Sequence, residues 1–266
     1  MDQVTANAWL WGRGEHVGVY ANRTLAPVEV VILLRYRAQL ARRTVDLGCG
    51  AGRILGYLTQ ISDEVYGVDL SAAMVDHCRR TYPGADVRVG DVRALHTVID
   101  GQFDAIIAAG NLIDAFDDAG RRAVLAELAS CLKRDGVLIF SSHNLAHRRR
   151  HQAGRTRWAR RAVDMVLDHS VRQLLRGPVR LARRARNRRR LGPLQRTAPD
   201  YAIVNDDTFD YGLLHYYIGR DTQERQLNEL GLRLLECLDP AGRPVSPGAD
   251  GDGPWLHYVA QPAAAA

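Results

Sequence analysis

Residues 45–54 read Val45-Asp46-Leu47-Gly48-Cys49-Gly50-Ala51-Gly52-Arg53-Ile54. Thr44 to Leu47 reads as a buried strand, the glycines as a tight turn, and Gly52 to Gln60 as a helix. Glycines at 48, 50 and 52 remove the Cβ atoms that would hold a ligand away from the backbone. A helix opening after the turn offers unpaired N–H groups to whatever lies there. The stretch is therefore built for close approach of a small molecule.

Outward from this turn the chain alternates regularly. Strands are predicted over 64–68, 86–89, 103–108 and 137–141. Helices are predicted over 71–81, with Ser71 as N-cap, and over 119–132, closed by Asp135-Gly136. A short helical or irregular piece covers 92–99. This rhythm predicts an α/β fold: a Rossmann-like, doubly wound, mostly parallel seven-stranded sheet with helices on both faces. Upstream, Ala26–Ala41 reads as a helix with Pro27 in its first turn, preceded by Trp9, Trp11 and Tyr20. Downstream, 221–230 reads as a helix, and 233–238 with 255–260 as a hairpin that gives the sheet an antiparallel edge strand.

Between these parts the rhythm breaks. From His147 to Arg196 there are seventeen Arg against two Asp, a balance of +15 in a chain whose net charge is +6. The rest of the chain is therefore acidic, near −9. Arg alternates there with Trp158, Val163, Val166, Leu167, Val171, Leu174 and Leu175 at helical spacing. The pattern reads as two amphipathic helices separated at Gly177-Pro178, then strands over 201–204 and 211–218. A basic block on an acidic body implies an anionic partner. Aromatic residues are scarce in the block, which disfavours base stacking and ranks nucleic acid below an anionic acceptor or, through 155–190, a peripheral membrane contact.

The 266-residue chain has no apolar run of membrane-spanning length, and Met-Asp-Gln-Val-Thr carries no basic leader. Its four scattered cysteines form no CxxC pair and read as reduced thiols of a cytoplasmic protein. No His/carboxylate cluster suggests a metal.

The G-x-G-x-G spacing departs from the dinucleotide fingerprint G-x-G-x-x-G. Asp46, two residues before the first glycine, repels a pyrophosphate and attracts an ammonium group. Asp69 ends the second strand, where a carboxylate can accept both hydroxyls of a ribose. Asp91 ends the third, where it can accept an exocyclic amine. One such Asp is more often a cap or turn residue; three at successive strand ends point to a ligand. An amino-acid head, a ribose and an adenine along one sheet edge describe S-adenosylmethionine.

At these residues the chain resembles the class I S-adenosylmethionine-dependent methyltransferases of small-molecule type. The matching stretches are VDLGCGAGRI (45–54), YGVDLSAAM (66–74), VGDVRAL (89–95), FDAIIAAGNLIDAF (103–116) and LKRDGVLIF (132–140). The resemblance implies that Asp46, Gly48, Cys49 and Gly50 contact the methionine end. It implies that Asp69 and Leu70 hold the ribose, that Gly90, Asp91 and Val92 hold the adenine, and that Ala109, Gly110 and Asn111 line the methyl side. It implies four regions: an N-terminal helical cap (1–43), the cofactor-binding core (44–146), an Arg-rich substrate cap (147–219) and the end of the core sheet (220–266).

Methyl transfer asks the protein mainly to align donor and acceptor. A hydroxyl acceptor usually benefits from a base. His143, at the end of the fifth strand, is the candidate base; a polar loop residue without catalytic role is its plain alternative. His215 is a second candidate. Asp114, with Asp117 and Asp118, reads more readily as the start of the next helix. Tyr20, Tyr211, Tyr216 and Tyr217 could wall an acceptor pocket or belong to the core. The Asn/Asp-Pro-Pro-aromatic tetrapeptide of methyltransferases acting on base exocyclic amines is missing; Ala109-Gly110-Asn111-Leu112 stands there. The expected reaction is methylation of an oxygen or nitrogen of a small or glycan-type, anionic acceptor. An RNA methyltransferase and a cofactor-binding protein without catalysis are the alternatives.

Overall fold

The computed structural model describes residues 3–5, 7, 24–153 and 171–263. In the first of the two helices expected in the basic block, residues 154–170, with Trp158, lie outside the described residues, as do Trp9, Trp11 and Tyr20, while its end from Val171 is helical.

Two short helices, α1 (Pro27–Arg35) and α2 (Arg37–Leu40), precede β1 (Arg43–Leu47). They replace the single helix expected over 26–41, because Tyr36 leaves helical geometry between them. The alternation then runs α3 (Leu55–Ile61), β2 (Glu64–Asp69), α4 (Ala72–Thr81), β3 (Asp86–Val89), α5 (Leu95–Val98), β4 (Phe103–Ala108), α6 (Asp118–Ser130) and β5 (Leu132–Asn144). It continues with α7 (Leu145–Ala153), α8 (Val171–Leu191), β6 (Arg196–Thr197), β7 (Tyr201–Val204), β8 (His215–Ile218), α9 (Arg220–Glu229), β9 (Leu232–Leu238) and β10 (Trp255–Pro262).

β3, β2, β1, β4 and β5 lie side by side, all parallel. Their carboxyl ends therefore share one edge of the sheet, the edge at which open α/β sheets bind ligands. β10 runs antiparallel to β5, with Trp255 opposite His143 and Ala260 opposite Leu138, and β9 pairs its far side. The antiparallel strand thus stands one place in from the rim, and β9 forms the rim. These seven strands are the expected sheet, and among the described residues β6, β7 and β8 extend it to ten. β8 meets β5 only at its tip, His143 with Tyr217 and Asn144 with Ile218. β10 occupies one edge of β5 at His143, so β8 lies along the other, past the end of β4. The added strands therefore stand directly over the ligand edge.

Apolar residues cover both faces of the sheet. Leu125, Leu128 and Leu227 of α6 and α9 pack with Phe103, Phe140 and Tyr258 on one side. Val28, Ile32 and Leu40 of α1 and α2 pack with Leu58, Val75 and Ile139 on the other. The segment from Pro27 is thus a layer of the core. The described residues at the start of the chain pack against the loop after β4: Gln3 and Asn7 donate to the carbonyls of Asp114, Ala115 and Leu214.

Further expectations are corrected. The helix after the glycine turn starts at Leu55, not Gly52, because Gly52 has φ +85°. β5 does not stop at Ser141 but continues through polar Ser142, His143 and Asn144, whose backbones pair with β8 and β10; at its other end, Asp135-Gly136 lies within β5, and α6 ends at Ser130. The strand expected from Tyr211 starts at His215, because Phe209, Asp210 and Tyr211 have φ of 49°, 58° and 63°. Gly177-Pro178 does not interrupt α8; a proline removes one helical hydrogen bond, and the 21-residue helix keeps the rest.

Candidate functional site

The glycine turn folds back on β2. The backbone N–H groups of Gly48 and Cys49 donate to the Val68 carbonyl. Gly50, at φ +54°, donates its N–H to Asp69 Oδ2 at 2.9 Å, and Ser71 N–H donates to Asp69 Oδ1 at 2.8 Å. Asp69 therefore ties the turn to the next loop with one bond per oxygen, which leaves acceptor capacity on both. Burial raises its pKa, against these two backbone bonds. Ser71 occupies the N-cap position of α4 without a side-chain cap bond, and its Oγ is buried with no partner.

Asp46 lies under the turn and is 3% exposed. Burial pushes its pKa up to about 7, against the charge of Arg53 and a bond from the Leu55 backbone. A carboxylate so poorly solvated gains from any cationic group placed beside the turn. Asp91 stands two residues past the end of β3. Both its oxygens accept from Arg93, and its pKa is lowered chiefly by that bond. It also caps the 3-10 turn Val92–Ala94 through the Arg93 N–H.

Beyond β4 the chain turns through Gly110 and Asn111, at φ +67° and 59°. Asn111 N–H donates to Ser141 Oγ at 2.8 Å. Its Nδ2 lies 3.4 Å from His143 Nε2, and its Oδ1 is buried with no partner. Leu112 is the neighbour that a Cβ on Gly48 would strike, at 2.8 Å. The glycine turn and the loop after β4 are therefore in contact.

Asp114 is fully buried and does not begin α6; Asp117 caps that helix instead. Asp114 sits in the 3-10 turn Leu112–Ala115. It receives Arg121 and Ser142 on one oxygen, and His143 N–H and Nδ1 on the other, both at 2.7 Å. Burial alone would raise its pKa, but the Arg121 charge and the His143 bonds hold it below the usual carboxylate value. An ionised Asp114 fixes the proton of His143 on Nδ1, so Nε2 carries a lone pair. The sequence reading omitted Arg121. Its signal was a charge on the apolar face of α6, in step with Val124, Leu125 and Leu128.

A second dyad lies against the first. His215 Nδ1 bonds Asp206 at 2.7 Å, and Tyr217 Oη donates to the same oxygen at 2.8 Å. The His143 and His215 rings stack with centroids 4.6 Å apart. Although burial opposes it, the His215 bond holds Asp206 well below the usual carboxylate range. Tyr217 also contacts His143, at 4.8 Å. Tyr216 is core and donates to Asp118. Tyr211 sits farther along, under Arg188.

The parallel sheet thus places the carboxylates of Asp46, Asp69 and Asp91 and the Asp114–His143 pair along one edge of an α/β domain. Residues 44–136 match the family described as "Methyltransferase domain". Over these residues the chain carries a stretch similar to methyltransferase domains, among them those of small-molecule methyltransferases. It is 26% identical over 131 residues to the dTDP-3-amino-3,4,6-trideoxy-alpha-D-glucopyranose N,N-dimethyltransferase of Streptomyces venezuelae, covering 48% of this chain and 51% of that one. It is 27% identical over 143 residues to the ubiquinone biosynthesis O-methyltransferase of Methylococcus capsulatus, covering 52% and 58%. The chain thus spans about half the length of the curated relatives it matches. In fold it is similar to the CcbJ methyltransferase of Streptomyces caelestis, with a TM-score of 0.60 at 16% identity, over 99% of this chain and 100% of that one.

Proposed function

We propose that the chain transfers a methyl group from S-adenosylmethionine to an oxygen or nitrogen of a small-molecule acceptor, with His143 as the base. The observation that carries this reading is the Asp114–His143 pair, which stands next to Asn111 and so to the glycine turn. The site fits the cofactor. The space a Cβ would take on Gly50 meets nothing nearer than 4.0 Å, and on Gly110 nothing at all within 4 Å. The buried Asn111 Oδ1 and Ser71 Oγ lack partners.

Asp46, Gly48, Cys49 and Gly50 would hold the methionine end, Asp69 and Leu70 the ribose, Gly90, Asp91 and Val92 the adenine, and Ala109, Gly110 and Asn111 the methyl side. When bound, the cofactor supplies an electrophilic methyl on a sulfonium, whose carbon–sulfur bond breaks as the acceptor's oxygen or nitrogen attacks. His143 Nε2 takes the proton released by the acceptor. Asp114 keeps the ring oriented and stabilises the imidazolium that forms. Arg121 keeps Asp114 ionised. The stacked His215, Tyr217 and the β6–β8 extension exclude water from that side.

The acceptor in this reading is small or glycan-type and negatively charged. The basic balance of 147–196 supports the charge, and the sugar nucleotide in one relative's name supports the class. No helix among the described residues is long and apolar enough to cross a membrane. On α8, Val179 and Leu181 are 63% and 67% exposed among arginines, a pattern suited to an anionic membrane surface. Labelled methyl transfer to extracted small molecules tests the reading. His143→Ala should lower the rate about 100-fold or more; a near-normal rate would leave alignment as the whole mechanism.

A further inference from the structure

Beside the double dyad lies a cleft of about 390 Å³, lined by Arg148, Arg188, Gln195, Asn205, Asp206 and Tyr211, with Gly192 and Asp207. We propose that it binds an oxyanion, a carboxylate or a phosphate, carried by the methyl acceptor. This deepens the methyltransferase reading and rests on it for the identity of the rest of the acceptor.

Two guanidiniums from different helices face this cleft. Arg148, on α7, lies over the Tyr217 ring at 5.0 Å. Arg188, on α8, lies over the Tyr211 ring at 3.8 Å and donates one bond to its hydroxyl. Among the described residues neither makes a salt bridge with a carboxylate, although Asp206 and Asp207 line the same cleft. Stacking on an aromatic face occupies the flat side of a guanidinium and leaves most of its in-plane N–H donors free. Those donors match the paired oxygens of a carboxylate or phosphate. Asp206 is turned to other partners: His215 and Tyr217 share its Oδ2, and the Thr208 N–H takes its Oδ1.

The loop that presents Tyr211 is strained. Phe209, Asp210 and Tyr211 are three consecutive non-glycine residues in the left-handed region. Such conformations persist where surrounding contacts impose them, and they concentrate at ligand clamps. Here Asn187 donates to the Asp210 carbonyl at 3.0 Å, Arg180 bonds the Asp210 carboxylate at 2.7 Å, and Asn205 donates to the Tyr211 carbonyl at 2.8 Å. The loop is thus locked by the helix that carries Arg188. The cleft also joins the chemistry. Asp206 forms part of its wall and holds His215, which stacks on His143. An acceptor anchored in the cleft by its oxyanion can present a neighbouring hydroxyl or amine to His143.

Ligand-observed NMR with glucuronate and with glucose 1-phosphate tests this on the full chain. Wild type should bind at least one probe; which one binds separates a carboxylate from a phosphate. Arg148→Gln and Arg188→Gln should each weaken that binding about tenfold or more. Arg134→Gln, an exposed charge removed elsewhere, should leave it unchanged. Absence of binding to both probes, or equal weakening in Arg134→Gln, would overturn the proposal. S-adenosylhomocysteine binding in the same samples reports separately: its absence would sink the methyltransferase reading, and the oxyanion titration would still decide the cleft.

Discussion

The imidazoles of His143 and His215 stack at 4.6 Å, and each holds its own carboxylate, Asp114 and Asp206 respectively, at 2.7 Å. The second ring supports one face of the first, so removing it should loosen the orientation of His143. His215→Ala should lower the methyl-transfer rate while leaving S-adenosylhomocysteine binding intact. A rate equal to wild type would show that the stack does not position His143.

Asp114 should matter to folding as well as chemistry. Asp114→Asn removes the countercharge of fully buried Arg121. Stranding a buried charge costs about 3–5 kcal/mol. Urea denaturation should show a loss of that order for Asp114→Asn and a smaller one for His143→Ala. Equal, small losses would contradict the role given to Arg121.

Asp46 sets a pH dependence of the opposite sign from most carboxylates. Its pKa rises from 3.8 unfolded to about 7 folded, so the folded state binds the extra proton. Asp46 therefore costs nothing below pH 3.8 and destabilises increasingly as pH rises to about 7, by up to roughly 4 kcal/mol. Asp46→Asn should stabilise the ligand-free protein at pH 8 and not at pH 4. If the ligand's ammonium sits beside Asp46, binding near pH 6 should release a proton. Calorimetry in buffers of different ionisation enthalpy should detect that release in wild type and not in Asp46→Asn.

Gly50 separates stability from binding. Its φ of +54° penalises any side chain, but a Cβ there meets no close neighbour. Gly50→Ala should cost about 1 kcal/mol in thermal unfolding. Gly50→Val should add a branched side chain in the ligand's space and remove detectable cofactor binding. Retained binding in Gly50→Val would place the cofactor elsewhere.

Much of this was legible in the sequence. β4 falls on residues 103–108 as expected, because a central strand of a parallel sheet reads as a compact, mostly apolar run between turn residues, and β3, at the rim, falls on 86–89 with only the short alternation of Val87, Arg88 and Val89 to mark it. Asp46, Asp69 and His143 were singled out from their positions at strand ends. What failed to show depends on contacts distant in sequence. Ser142-His143-Asn144 has a loop's composition and becomes strand only because β8 and β10 flank it. Asp114 looks like a helix start until the sheet brings Arg121 and His143 to it. His215 and Asp206 form a dyad only because β7 and β8 pair, and they meet His143 only because β8 adds to the tip of β5.

The most direct test of the central claim is calorimetric titration of wild type and Asp69→Ala with S-adenosylhomocysteine. Asp69 is offered as the ribose acceptor, and a lost charged hydrogen bond costs about 1.5–3 kcal/mol. Wild type should bind one equivalent, and Asp69→Ala, checked by circular dichroism for its fold, should bind about 100-fold more weakly. No binding by wild type, or equal affinity in the variant, would contradict the assignment of this sheet edge to S-adenosylmethionine.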